Sequence, residues 1–360
     1  MEDVHVAHEG SSRVGLETAI NGKERHEIIA LPKLNELDFS YSKMDTTRPI
    51  VMKNLVSLEK LELHDCDLTK SVLRFDSLPS LKYLNASHSE LDPNFLDDIG
   101  KLASLANLNM SFCKLPKHLN RLVLLKNLKE LDVNCCKLDS EFFVGLEMLV
   151  SLEELNMRCC DVTKPPFRIA SLPKLKRLDF SHSKMDSTGP VVIENLDLLE
   201  ELDIRGWKLA NSTLRIASLS NLEELDFADC TIDSASSVVI ESLDSLEKLD
   251  MRFCKLTKSS LRIASLSNLE ELDIANCTID SASSVVIESL DSLEKLAMRS
   301  CKLIKSLLRF ASLTSLRELN ISWNKLRSDL LVGMEKLVSL EKLSLSSCDL
   351  KKLPFKSVST

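Results

Sequence analysis

LEELDFADCTI (residues 222–232), LEKLELHDCDL (58–68), LKELDVNCCKL (128–138) and LEKLSLSSCDL (340–350) share one frame, L-x-x-L-x-L-x-x-C-x-L, in which other apolar residues such as Phe227, Val133 and Ile232 stand in for the later leucines. Fourteen copies begin at residues 34, 58, 81, 105, 128, 152, 175, 199, 222, 246, 269, 293, 316 and 340, with spacings that alternate between 24 and 23. The underlying unit is therefore a 47-residue pair of unlike repeats. Within each copy the L-x-L alternation has the two-residue period of a strand, so its leucines share one face. A strand this short cannot bury that face alone and must stack on its neighbours. The array is thus a solenoid whose parallel strands lie about 4.8 Å apart.

Over residues 31–354 the frame resembles the leucine-rich repeat family, and its Cys resembles that of the intracellular, ribonuclease-inhibitor-like repeats. The resemblance implies an α/β fold, a right-handed curved horseshoe with its parallel sheet on the concave face. In the long repeats, Val239, Ile240 and Leu243 stand at helical spacing after Ile232, and the same run recurs after Ile279. Short helices are expected there. The short repeats are one residue tighter, and Pro165 and Pro166 interrupt one of them, which predicts 3-10 or extended segments. Residues 1–30 are read as a polar tail with a degenerate capping repeat, since Val14, Leu16 and Ala19 precede Leu61, Leu63 and Cys66 by 47 residues. Residues 355–360 form a C-terminal tail.

The chain has 360 residues, 44% hydrophobic and 28% charged, enough apolar material for a large core and too much for a disordered chain. Lys and Arg number 46 against 54 Asp and Glu, and the net charge of -8 argues against a general nucleic-acid binder. No apolar run approaches the roughly 20 residues that cross a bilayer, so no membrane association is expected. The opening MEDVHVAHEG lacks the basic and then apolar pattern of a secretory leader. Nine of the eleven cysteines fall at position nine of the frame, which points to packed thiols rather than disulfides. A cytoplasmic protein, or a nuclear one, is the expectation, as a monomer without cofactor or metal.

At position nine the remaining repeats carry Ser42, Ser89, Ser183, Asn324 and Trp207. A small donor there would bond backbone carbonyls freed as the chain turns out of the strand. Trp207 is too large for a thiol-sized pocket, and a local distortion is expected around it.

Outward positions supply the candidate contact residues. Position five is acidic in eight repeats, among them Asp179, Asp203, Asp226 and Asp250, and Asn in four. Position seven answers with Arg158, Arg205, Arg252 and Arg299, each 47 residues from the last, so part of the acidic column is expected to be neutralised internally. Position eight varies most and includes Tyr41, Phe112, Asp229, Phe253 and Trp323; with Tyr83 these aromatics resemble binding anchors. Residues 215–261 and 262–308 match at 41 of 47 positions. Three of the six differences, Asp229/Asn276, Asp250/Ala297 and Phe253/Ser300, fall on outward positions, which singles out the concave face as the surface that changed.

Cys135, Cys159 and His182 follow one another at position eight, but a flat row converges poorly on one metal and offers no oxyanion donors. Arg121, Arg168, Arg215 and Arg262 recur on the short repeats opposite Glu147, Glu194 and Glu241 on the long ones, and Asp92, Asp139 and Asp233 alternate with lysines such as Lys258 at the edge. Lateral ion pairs are expected of both ladders. No nucleotide loop, zinc motif or nucleophile elbow is present, so no catalytic site is assigned. The reading is a noncatalytic protein-protein interaction module that binds its partner, one with a basic segment, on the concave face. The alternatives are a substrate-recognition subunit or adaptor of a ubiquitin ligase, similar to F-box leucine-rich proteins without a visible F-box, or an immune-receptor or effector protein.

Overall fold

A computed structural model describes residues 27–28, 31–42, 50–52, 55–69, 73–75, 78–115, 119–163, 167–169, 172–186, 189–233, 236–279, 283–287, 290–301, 313–325 and 334–348. The chain falls into two compact units, residues 1–157 and 158–360, each a parallel-strand solenoid. Val14, Leu16 and Ala19 of the expected capping repeat lie outside the described residues.

In the first unit, strands Glu36–Asp38, Lys60–Glu62, Tyr83–Asn85, Asn107–Asn109, Glu130–Asp132 and Glu154–Asn156 pair in chain order. The position-four leucines align across them, and Leu61, Leu84, Leu108, Leu131 and Leu155 are all buried. Each buried leucine contributes roughly 1.5 to 3 kcal/mol. On the opposite wall the long repeats carry helices α1 (Phe95–Ile99) and α2 (Ser140–Leu146), and the short repeat between them carries the 3-10 helix Leu119–Leu124. That alternation is the one the repeat lengths predict. The buried residues Phe95, Leu96 and Ile99, and Phe142, Phe143 and Leu146, recur at helical spacing. Asp139 caps α2 by accepting from the N–H groups of Glu141 and Phe142.

In the second unit, eight strands from Arg177–Asp179 to Lys342–Ser344 form the corresponding sheet. Here the expected helices are not formed. Ser237–Glu241 and Ser284–Ile287 are strands, in a parallel sheet with Phe167–Ile169, Pro190–Glu194, Thr213–Ala217 and Ser260–Ala264. Val238 and Ile240 are buried while Val239 between them is half-buried, a two-residue period that suits the β-branched Val-Val-Ile run. Leu243 reaches the core only after a turn at Ser242, whose φ of 55° leaves the helical region.

Position nine does what its residue types imply. The thiols of Cys66, Cys113, Cys136, Cys230, Cys254, Cys277 and Cys301 each donate to the position-six carbonyl of the preceding repeat, over 2.9 to 3.3 Å. Ser89 and Asn324 make the same bond at 2.8 and 2.7 Å. Trp207 is fully buried and its indole Nε1 donates to the Phe180 carbonyl at 2.5 Å. The strand that follows, Lys208–Ala210, pairs along its length with Thr231–Asp233 but meets the preceding Lys184–Asp186 only at Lys184 and Lys208, so the expected distortion is confined to that side.

Candidate functional site

The acidic column has a structural task that the sequence reading missed. At Asp38, Asp132, Asp179, Asp203, Asp226, Asp250 and Asp273, Oδ1 accepts from the backbone N–H two residues on, over 2.8 to 3.0 Å. Asn85, Asn109 and Asn320 do the same. A short side chain with an oxygen at this distance closes the turn after the strand, which is why Asp and Asn share the position. The signal was legible as Asp-or-Asn alternation and was read as charge.

Arginine neutralises part of that column, as expected. Arg205 forks onto Asp203, with Nη2 at 2.5 Å from Oδ2, and reaches Asp226 at 3.3 Å; Arg252 repeats the arrangement on Asp250 and Asp273. These hydrogen bonds raise both guanidinium pKa values, and burial raises those of the Asp226 and Asp273 carboxyls. Arg299 has Ala297 where Arg205 and Arg252 have Asp203 and Asp250, and among the described residues it makes no ion pair. Position three adds a second lattice. Lys248 pairs with Glu224 at 2.6 Å, Lys295 with Glu271, and Lys342 with Glu318 at 2.5 Å, all across neighbouring strands of a groove. The strand face of the second unit is thus largely self-compensated.

Position eight departs from the strand geometry expected of it. All thirteen non-glycine residues of this column have φ between 54° and 62°, and Gly206 has φ 71°. Tyr41, Phe112, Asp229, Phe253 and Trp323 therefore sit on a left-handed turn at the edge of the strand face, not on the strands. Backbone bonds hold the turn. The N–H of Tyr41 donates to the His64 carbonyl at 2.8 Å, Phe112 to Asn134 at 2.7 Å, Phe253 to Ala275 at 2.9 Å and Trp323 to Ser346 at 2.8 Å. The rings stay in solvent, with Tyr41 72%, Phe112 49%, Phe253 53% and Trp323 60% exposed. Tyr83 differs, being half-buried on its strand with the Lys60 ammonium 5.6 Å from its ring centre. Tyr41, Tyr83 and Phe112 belong to the first unit and the other predicted contact residues to the second.

Cys135 falls in the first unit, Cys159 and His182 in the second, and among the described residues no three His, Cys, Asp or Glu are arranged to hold a metal. The His182 ring lies where a side chain at residue 206 would stand, since a Cβ on Gly206 would come within 2.4 Å of His182 Nδ1. On the opposite wall the expected lateral pairs form in the second unit as Arg168–Glu194–Arg215–Glu241–Arg262, whereas Arg121 of the first unit pairs with Asp97 of α1. At the edge, Asp92 and Asp139 accept from the backbone N–H groups of Asn94 and Glu141, and most lysines of that ladder lie outside the described residues. Among the described residues, no helix is long and apolar enough to cross a membrane.

A leucine-rich repeat family model matches residues 312–329. A search of curated proteins finds no match. Among solved structures, a leucine-rich repeat protein of Leptospira interrogans is similar at 18% identity, with 86% of this chain and 96% of that one covered and a TM-score of 0.45. An internalin of Listeria monocytogenes is similar at 16% identity, covering 88% of this chain and 81% of that one, with a TM-score of 0.39. The Arabidopsis receptor kinase HAESA, in complex with the peptide hormone IDA and the co-receptor SERK1, is similar at 13% identity, with coverages of 87% and 74% and a TM-score of 0.35. Fourteen copies of one frame, the parallel strands that frame demands in each unit, and a family model seated on one copy make the fold that of a leucine-rich repeat solenoid.

Proposed function

We propose that this protein is a noncatalytic binding module that holds a protein partner against the face of its short strands and the turn edge beside it. The observation that carries the reading is the placing of Tyr41, Phe112, Phe253 and Trp323. Left-handed backbone costs a bulky residue about 1 kcal/mol or more relative to glycine, and large exposed rings lose apolar contact to water. Four such rings on that backbone, each exposed by about half or more, are costly for folding and well suited to anchoring a partner. The groove in the second unit, walled by compensated Glu–Lys and Asp–Arg pairs, offers a polar floor built on strands of the repeats that carry Phe253 and Trp323. An intracellular setting is part of the proposal, supported by eleven free thiols.

The test is affinity capture with chemical cross-linking and mass spectrometry, comparing wild type with a Phe253→Asn, Trp323→Asn double variant. Asparagine suits the left-handed turn, so the variant keeps its fold. Loss of a captured protein whose cross-links map to the strand face supports the reading. An unchanged capture profile removes this edge as the contact surface.

A further inference from the structure

Four rings stand in line along one edge of the first unit. Tyr41 meets His64 edge to face at 5.0 Å, His64 meets His88 in the same way at 5.0 Å, and His88 stacks on Phe112 at 4.2 Å with 14° between planes. The residues come from four successive repeats, and Tyr41, His88 and Phe112 are exposed. His64 occupies position seven, where a 2.7 Å hydrogen bond between its Nδ1 and Ser87 Oγ fixes the ring. Position eight of that repeat is Asp65, exposed, with φ 54° and its N–H bonded to the Ser87 carbonyl at 2.9 Å. Among the described residues the Asp65 carboxylate has no ion-pair partner.

We propose that this row docks an arginine side chain from a basic segment of the protein partner, with the guanidinium lying against the exposed rings and paired to Asp65. The proposal rests on the protein-binding reading above and names the chemistry it requires. Position eight itself carries no Lys or Arg in any of the fourteen repeats. A second exposed carboxylate, Asp38, belongs to the same repeat as Tyr41. The planar, weakly hydrated guanidinium stacks on a ring and forks onto a carboxylate at once, whereas an ammonium does only the second well. The row therefore selects arginine over lysine.

The experiment is selection of a random heptapeptide display library on the full chain, followed by fluorescence polarisation of the selected peptides on wild type, Asp65→Asn and Phe112→Asn. Both substitutions suit left-handed backbone, and thermal unfolding checks that each variant is folded. The expected result is arginine-enriched peptides whose affinity drops about tenfold on Arg→Lys exchange and about tenfold on either protein variant. Peptides without arginine, or peptides that bind Asp65→Asn as well as wild type, overturn the proposal. If binding depends on Phe253 and Trp323 instead, this inference falls and the protein-binding reading stands. If no peptide is selected, this inference also falls, and the capture experiment decides the wider reading. An oligouridine probe that binds wild type and is lost on Phe112→Asn overturns the proposal in favour of base stacking.

Discussion

The indole of Trp207 and the carbonyl of Phe180 make, at 2.5 Å, the same cross-repeat hydrogen bond that a cysteine makes in most other repeats. Their rings meet edge to face at 4.9 Å, so one residue closes the turn and fills the core beneath it. Trp207→Ala removes both functions and is expected to cost about 3 to 5 kcal/mol. Trp207→Phe retains most of the volume and loses the donor, for about 1 kcal/mol. Denaturant unfolding of the two variants checks the order, and equal losses would show that the ring's volume contributes little beyond the hydrogen bond.

Gly145 is expected to resist substitution. In most helices Gly→Ala gains about 0.5 to 1 kcal/mol. Here a Cβ would stand 2.4 Å from the Leu119 carbonyl oxygen, backbone of the 3-10 helix packed against α2. Gly145→Ala is therefore destabilising, by about 1 to 3 kcal/mol. A variant as stable as wild type in thermal unfolding would mean that the Leu119 turn yields without cost.

Thiol reactivity should divide by column. Burial pushes Cys113 up to about 11 and Cys136 and Cys301 up to about 12, so near neutral pH these groups hold little thiolate. Cys159 is exposed, and Cys135 and Cys348 are half-buried. Alkylation of the native protein, followed by mass spectrometry, is expected to mark Cys159 first and to leave Cys113, Cys136 and Cys301 unmarked until the protein is denatured. Rapid native labelling of Cys113 would contradict the packing of the column.

The Asp226 carboxyl has its pKa raised by burial, although the Ala228 N–H and Arg205 pull the other way. A carboxyl with a folded pKa above its unfolded value holds more protons when folded, so stability falls as pH rises through that window and the penalty is complete at neutral pH. Asp226→Asn keeps the acceptor for Ala228 and removes the titration. The variant should gain on wild type as pH rises from strongly acid to neutral. Parallel pH-stability curves for the two proteins would sink this account.

The strand face was legible because one rule, leucine at position four and an apolar residue at position six, decides it at every repeat. The opposite wall was legible only in part. Phe142, Phe143 and Leu146 form a helix, whereas Val238 and Ile240 form a strand, and both runs offer apolar residues at helical offsets. The β-branched trio and the turn at Ser242 separate the two cases. The contact residues were found by position and misjudged in setting. Position eight contains few of the Gly and Asn residues that announce left-handed backbone, so its turn is imposed by the ladder of neighbouring repeats and not by local preference. The first task of Asp203 and Asp226 is to cap a turn, which a column of like charge does not announce.

That ladder has a consequence for how such a protein changes. Since main-chain bonds from the adjacent repeat fix the conformation at position eight, tyrosine, histidine, cysteine, serine and tryptophan all stand there on nearly one backbone shape. Each such site keeps its backbone shape whatever side chain it carries, Gly206 apart, where the His182 ring fills the space a Cβ would need. Binding preference is free to drift residue by residue along the edge, while the leucines beneath stay as they are.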